Sequence, residues 1–61
     1  MPPFFEVYKD TAGKFRFRLK AANGENIATG EAYINKNACM DGIESVKKNA
    51  PIAVVKDLTT K

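Results

Sequence analysis

Seven consecutive residues, KFRFRLK from Lys14 to Lys20, alternate between basic and apolar without a break. Successive side chains of a strand point to opposite faces. Phe15, Phe17 and Leu19 therefore share one face, and Lys14, Arg16, Arg18 and Lys20 share the other. A helix of period 3.6 cannot sort these residues in this way. The chain is committed to a sheet with one covered face and one wet face, the usual condition of an antiparallel sheet.

The flanking residues extend the pattern into a meander. From Phe4 to Lys9, Phe5 and Val7 share one side, and Glu6 and Tyr8 the other. Pro2 and Pro3 precede this strand and cannot donate to a ladder, which suits its open start. Asp10 to Gly13 fits a type I turn closed by a glycine bulge. The three-residue loop sets Phe5 opposite Leu19, Glu6 opposite Arg18 and Val7 opposite Phe17. A four-residue loop would set Val7 against Arg16 and mix apolar with charged on one face. Asn23-Gly24 predicts a two-residue type I′ hairpin, with Ile27 to Glu31 returning antiparallel. That register places Leu19 opposite Ala28, Arg18 opposite Thr29, Phe17 opposite Gly30 and Arg16 opposite Glu31.

The period then changes. Cys39, Ile43, Val46 and Ala50 follow i, i+4, i+7, i+11, one apolar stripe of a helix from Lys36 to about Lys48. Asn35 is its expected N-cap, and Lys47 and Lys48 suit the negative end of its dipole. Asn49 and Pro51 end it. Gly42 weakens a helix by about 1 kcal/mol relative to Ala and reads as a close-contact position. Ile52 to Val55 is apolar at every position, the pattern of a strand buried on both faces. A lone four-strand unit would leave one side of it in water.

At 61 residues this is one domain, with marginal stability unless something is added. Disulfides, metals and partner chains are the usual additions. Cys39 is the only cysteine and there is no histidine, so an internal disulfide and a Cys/His metal site are excluded. A second copy remains. With 44% hydrophobic and 28% charged residues the composition is that of a globule, not of disorder. The formal charge of +3 permits an anionic partner without requiring one. No apolar run approaches the roughly 20 residues needed to span a bilayer, and the N-terminal residues lack the pattern of an export signal. With a single cysteine, this points to the cytoplasm.

No catalytic constellation emerges. Cys39 has no histidine to activate it and lies on the apolar stripe, which makes it a packing residue. Glu6 and Glu31 fall on the outer strand face opposite arginines, where charge pairing accounts for them. Gly13 and Gly24 serve hairpins, and no glycine-rich loop leads into the helix to cradle a phosphate. The one suggestive feature is the basic row of Lys14, Arg16, Arg18 and Lys20. These project at about 6.6–6.8 Å intervals, twice the rise per residue, so they could follow a phosphate backbone, with Tyr8 and Tyr33 as stacking faces. The simpler reading is a solvated strand face.

The run FEVYKDTAGKFRFRLKAANGENIATGEAY, followed by CMDGIESVKKNAP, resembles the YegP-like family of small uncharacterised bacterial proteins. Its most specific parts are RFRLKAANGE at Arg16 to Glu25 and GIESVKKNA at Gly42 to Ala50. The resemblance covers about Phe4 to Asp57, and only the Pro-Pro start and the short C-terminal tail depart from it. It implies an α+β fold built from a β(3)-α-β unit, here one domain over residues 1–61 with its core at about 4–57. It also implies a homodimer sharing one sheet, with Ile52 to Asp57 exchanged between copies. The family brings no activity, cofactor, metal or catalytic residue. The expectation is a non-enzymatic dimeric domain with a structural or partner-binding role, and the alternative is nucleic-acid or other polyanion binding through the basic row.

Overall fold

The computed structural model describes residues 2–59. Phe4–Lys9 forms β1, Phe15–Lys20 β2 and Asn26–Thr29 β3, and Lys36–Asn49 forms α1, followed by a 3-10 turn over Ala50–Ile52. The strands make an antiparallel sheet in the order β1-β2-β3. This is the expected α+β unit of three strands and a helix.

Between β1 and β2 the register is the expected one, with Phe5 opposite Leu19, Glu6 opposite Arg18 and Val7 opposite Phe17. The loop is closed by the Gly13 amide donating to the Asp10 carbonyl at 3.0 Å and by the Asp10 amide donating to the Lys14 carbonyl at 2.9 Å. Gly13 sits at φ 81°, a conformation open to glycine without strain.

The second hairpin differs from the type I′ expectation. Among the described residues no non-glycine residue has positive φ, whereas a type I′ turn requires it at both central positions. The Gly24 amide donates to the Ala21 carbonyl at 2.9 Å and the Ala21 amide to the Glu25 carbonyl at 2.8 Å, and Gly24 lies at φ 89°. The second hairpin thus repeats the first, a three-residue loop ending in a left-handed glycine. Lys20 consequently faces Asn26, and a shift between Leu19 and Lys20 restores the expected pairs Leu19–Ala28 and Arg18–Thr29.

Strand pairing ends at Thr29, two residues short of Glu31. The Gly30 amide still donates to the Phe17 carbonyl at 2.9 Å, while Phe15 and Tyr33 exchange backbone bonds of 2.8 and 2.7 Å. Glu31 and Ala32 together span what Arg16 spans alone, which is the two-against-one count of a bulge. This displaces Glu31 from the position opposite Arg16.

Helix α1 begins where Asn35 Oδ1 accepts from the Ala38 amide at 2.8 Å, the expected cap. Asn49 Nδ2 donates to the Ser45 carbonyl at 2.8 Å in the last turn. The helix covers the apolar face at β2, and the core consists of Phe17, Cys39 and Ile43, with relative exposures of 5%, 0% and 6%. Phe5, Phe15, Tyr33 and Val46 pack around it. Ala50, the last member of the sequence stripe, is exposed, because the chain has already turned into the 3-10 segment that carries Pro51. The two glycines nearest the core admit close packing: a Cβ on Gly30 would meet the Phe17 ring, and one on Gly42 would meet the Tyr33 hydroxyl.

Among the described residues the expected closing strand does not form. Ile52 ends the 3-10 turn, and 53–58 pairs with no strand. Ile52, Val54, Val55 and Leu58 are 77%, 80%, 93% and 88% exposed. A strand needs a partner edge for its backbone groups, and this segment reaches neither edge of its own sheet.

Candidate anion-binding sheet face

The helix lies on the side of Phe17, so the opposite face of the sheet carries the residues of the other parity. On β1 these are Phe4, Glu6 and Tyr8, and they lie opposite Lys20, Arg18 and Arg16 respectively. Arg16, Arg18 and Lys20 are thereby brought to one face of the sheet, and Lys14 lies in the first hairpin, just before β2.

The four cations are not equivalent. Arg18 Nε donates to Glu6 Oε1 at 2.7 Å, and its guanidinium lies 4.4 Å from the centroid of the Tyr8 ring. The carboxylate and the ring fix the group from two directions, a geometry for which the planar guanidinium is suited. Arg16 Nε donates to Asp10 Oδ2 at 3.1 Å. Asp10 supplies both oxygens: its Oδ1 accepts from the backbone amides of Ala12 and Lys14, each at 2.9 Å. The residue that shapes the first hairpin therefore also anchors Arg16. Sequence reasoning assigned Arg16 to Glu31, and the bulge opposite Arg16 explains why Asp10 takes that place. Lys20 Nζ donates to the Gly24 carbonyl at 3.1 Å.

These contacts set the charge state of the face. The hydrogen bond from Arg18 holds the Glu6 carboxyl below its usual range, and the same contact raises Arg18. Asp10 is lowered chiefly by the Lys14 amide, with the Ala12 amide and Arg16 adding to the effect. At neutral pH the two acids are ionised beside four cations. Both arginine ion pairs run through Nε.

Tyr33, proposed above as a stacking residue, is on the other side of the sheet. Its ring stacks on Phe17 at a centroid distance of 6.3 Å. Phe4 takes its place on the basic face, opposite Lys20. Its parity with Glu6 and Tyr8 was the signal for this. Cys39, fully buried, is out of reach of a substrate. A shallow depression lined by Asp41, Glu44, Ser45, Lys47 and Lys48 lies on α1, away from the sheet face. Among the described residues no group of three His, Cys, Asp or Glu is placed to hold a metal ion, and no helix is long and apolar enough to cross a membrane.

Residues 10–57 match the family model described as "Domain of unknown function (DUF1508)". This chain is a member of the DUF1508 family. The YegP-like resemblance of its sequence leads to the same relatives. A DUF1508 relative in Treponema denticola, a UPF0339 protein, is 69% identical over 51 residues, covering 84% of this chain and 88% of the relative. The solution structure of a protein from Haloferax volcanii superposes with a TM-score of 0.85 at 47% identity, covering 92% of this chain and 95% of that one. The UPF0339 protein of Shewanella oneidensis superposes with a TM-score of 0.76 at 48% identity, over 85% of this chain but only 44% of its own. The DUF1508 unit described here thus occurs both in chains of similar size and in one more than twice as long as the part it matches. No specific function is assigned to these relatives.

Proposed function

We propose that this DUF1508 chain is a non-enzymatic, cytoplasmic domain that works as a homodimer in a structural or partner-binding role, the segment from Ile52 to Asp57 adding as a strand to the sheet of a second copy. The observation that carries this reading is the exposed apolar segment that follows α1. Its side chains lie in water on both sides, and its backbone is extended at Ala53, with φ −70° and ψ 133°. Covering a Val, Leu or Ile side chain is worth about 1.5–3 kcal/mol, so Ile52, Val54 and Val55 offset part of the cost of association, which is of order 4–15 kcal/mol. The length of the Shewanella relative supports the reading, since a chain of that size has room for a second unit beside the first. The unpaired, buried Cys39 suits a reducing compartment.

Light scattering after size exclusion tests it. The expected result is twice the chain mass for the native protein and the single-chain mass for the Val54→Asp variant. A native protein that stays a folded single subunit at high concentration would end the proposal.

A second reading, polyanion binding through Lys14, Arg16, Arg18 and Lys20, is favoured by the arginine geometry. Glu6 and Asp10 bond the guanidinium groups through Nε, and the Arg16 and Arg18 side chains stay 36% and 38% exposed. The test is retention on a column of immobilised sulfated polysaccharide. Native protein is expected to elute at higher salt than an Arg16→Glu, Arg18→Glu variant, and equal elution would dismiss the reading.

A further inference from the structure

We propose that the open sheet face binds single-stranded nucleic acid, with Phe4 and the Arg18 guanidinium, itself seated on the Tyr8 ring, as stacking platforms for bases and Lys14, Arg16 and Lys20 as contacts to phosphates. The proposal rests on the polyanion reading above and narrows it to one ligand class. The cations alone would serve any polyanion. The aromatic rings separate the candidates.

β1 places Phe4, Glu6 and Tyr8 at alternate positions on this face, and β2 sets Lys20, Arg18 and Arg16 directly across from them. Phe4 and Tyr8, about 13 Å apart over four strand residues at the usual rise, therefore mark two flat surfaces, the Phe4 ring and the Arg18 guanidinium that is held by Glu6 and lies over Tyr8. Phe4 is absent from the residues packed on the core, and Val7 and Phe5, its neighbours of opposite parity, are on the helix side. A polysaccharide or polyphosphate has no π-face to match these rings. A duplex keeps its bases stacked on one another and offers phosphates alone. An unpaired strand offers both, and stacking on aromatic side chains beside a basic track is the general mode by which such strands are held without sequence preference. Thr29, across from Arg18, and Asn26, across from Lys20, extend the same face with polar groups.

Fluorescence anisotropy with a short labelled single strand of mixed sequence tests the proposal, using the matching duplex and a sulfated polysaccharide as competitors. The native protein is expected to bind the single strand, and the affinity to fall with salt at a log–log slope of about −1.4 to −2.8, corresponding to roughly two to four phosphate contacts at −0.7 each. Tyr8→Leu is expected to weaken binding about ten-fold, within the range for loss of one stacked base. Arg16→Glu with Arg18→Glu should abolish binding, whereas Lys47→Glu with Lys48→Glu, the same charge change on α1, should leave most of it. Circular dichroism checks each fold, and Lys14→Glu with Lys20→Glu reads the same face through residues without ion pairs among the described contacts. Equal competition by duplex and polysaccharide, with no effect of Tyr8→Leu, would overturn this inference and leave polyanion binding standing. Absence of binding to all three probes at low salt would remove both.

Discussion

The ring of Phe17 fills the space in which a side chain on Gly30 would begin, its Cε2, Cζ and Cδ2 atoms all lying inside contact distance of a Cβ built there. Gly30 does not have positive φ, so backbone conformation alone would accept alanine. The restriction is steric. Phe17 is 5% exposed and wedged between Phe5, at 5.9 Å between ring centroids, and Tyr33, and it has nowhere to move. Gly30→Ala is expected to cost about 1–3 kcal/mol, the usual penalty of overpacking, lowering Tm by about 4–8 °C per kcal/mol in a domain of this size. Gly42→Ala should cost less. Its nearest obstacle is the hydroxyl at the far end of Tyr33, and alanine gains about 1 kcal/mol of helix propensity. Thermal melts of both variants would check the order, and a Gly42→Ala variant less stable than Gly30→Ala would refute it.

Asn35 holds the start of α1 through its bond to the Ala38 amide. Asn35→Ala is expected to cost about 1 kcal/mol and Asn35→Asp to restore most of it. Urea titration would show the loss as a lower midpoint with an unchanged slope.

Acid should weaken the sheet face first. Glu6 and Asp10 both have folded-state pKa values below their ordinary 4.5 and 3.8. A depressed carboxylate stabilises the fold above its unfolded value, and that contribution is lost as pH falls through the folded value. Tm is therefore expected to hold from neutral pH to about 5 and to decline below the ordinary carboxylate range. Carboxyl NMR titration should find Glu6 and Asp10 both titrating below their ordinary carboxylate values. Glu6→Gln should flatten part of the decline in Tm.

Cys39 is fully buried among apolar neighbours. Cys39→Ala should be milder than Cys39→Ser, because an unpartnered buried hydroxyl costs about 1–3 kcal/mol. Alkylation of the native thiol should proceed at the rate of unfolding and accelerate in denaturant. Rapid reaction in buffer would show that the core opens readily around it.

The faces of Phe5 to Tyr8 and of Phe15 to Leu19 were legible in the sequence because strand parity is strict and one face is apolar. Asn35, Gly42 and Cys39 were legible for a similar reason, each being fixed by local chemistry. The second turn was not, because Asn23-Gly24 serves a two-residue turn and, one position earlier, a type I turn with Gly24 as its left-handed residue. The choice depends on Ala21 and Glu25, whose side chains carry no turn signal. The partner of Arg16 was missed because a bulge at Glu31 and Ala32 has no mark in the sequence, whereas Asp10 was noticed only as a turn residue. Tyr33 was assigned to the wrong face since it lies beyond the end of β3, where alternation no longer applies. For the segment after Pro51, apolarity marked a strand, but apolarity does not name a pairing edge, and the segment joins none in its own sheet.

That uncovered segment bears on how dilution affects the molecule. Where cover comes from a second copy, a short chain must find it by collision, and its stability falls as its concentration falls. A polypeptide carrying two such units would hold its own cover tethered at an effective concentration in the millimolar range. On the proposed pairing, the stability of this chain would follow its own abundance, whereas a chain with two such units would be indifferent to it.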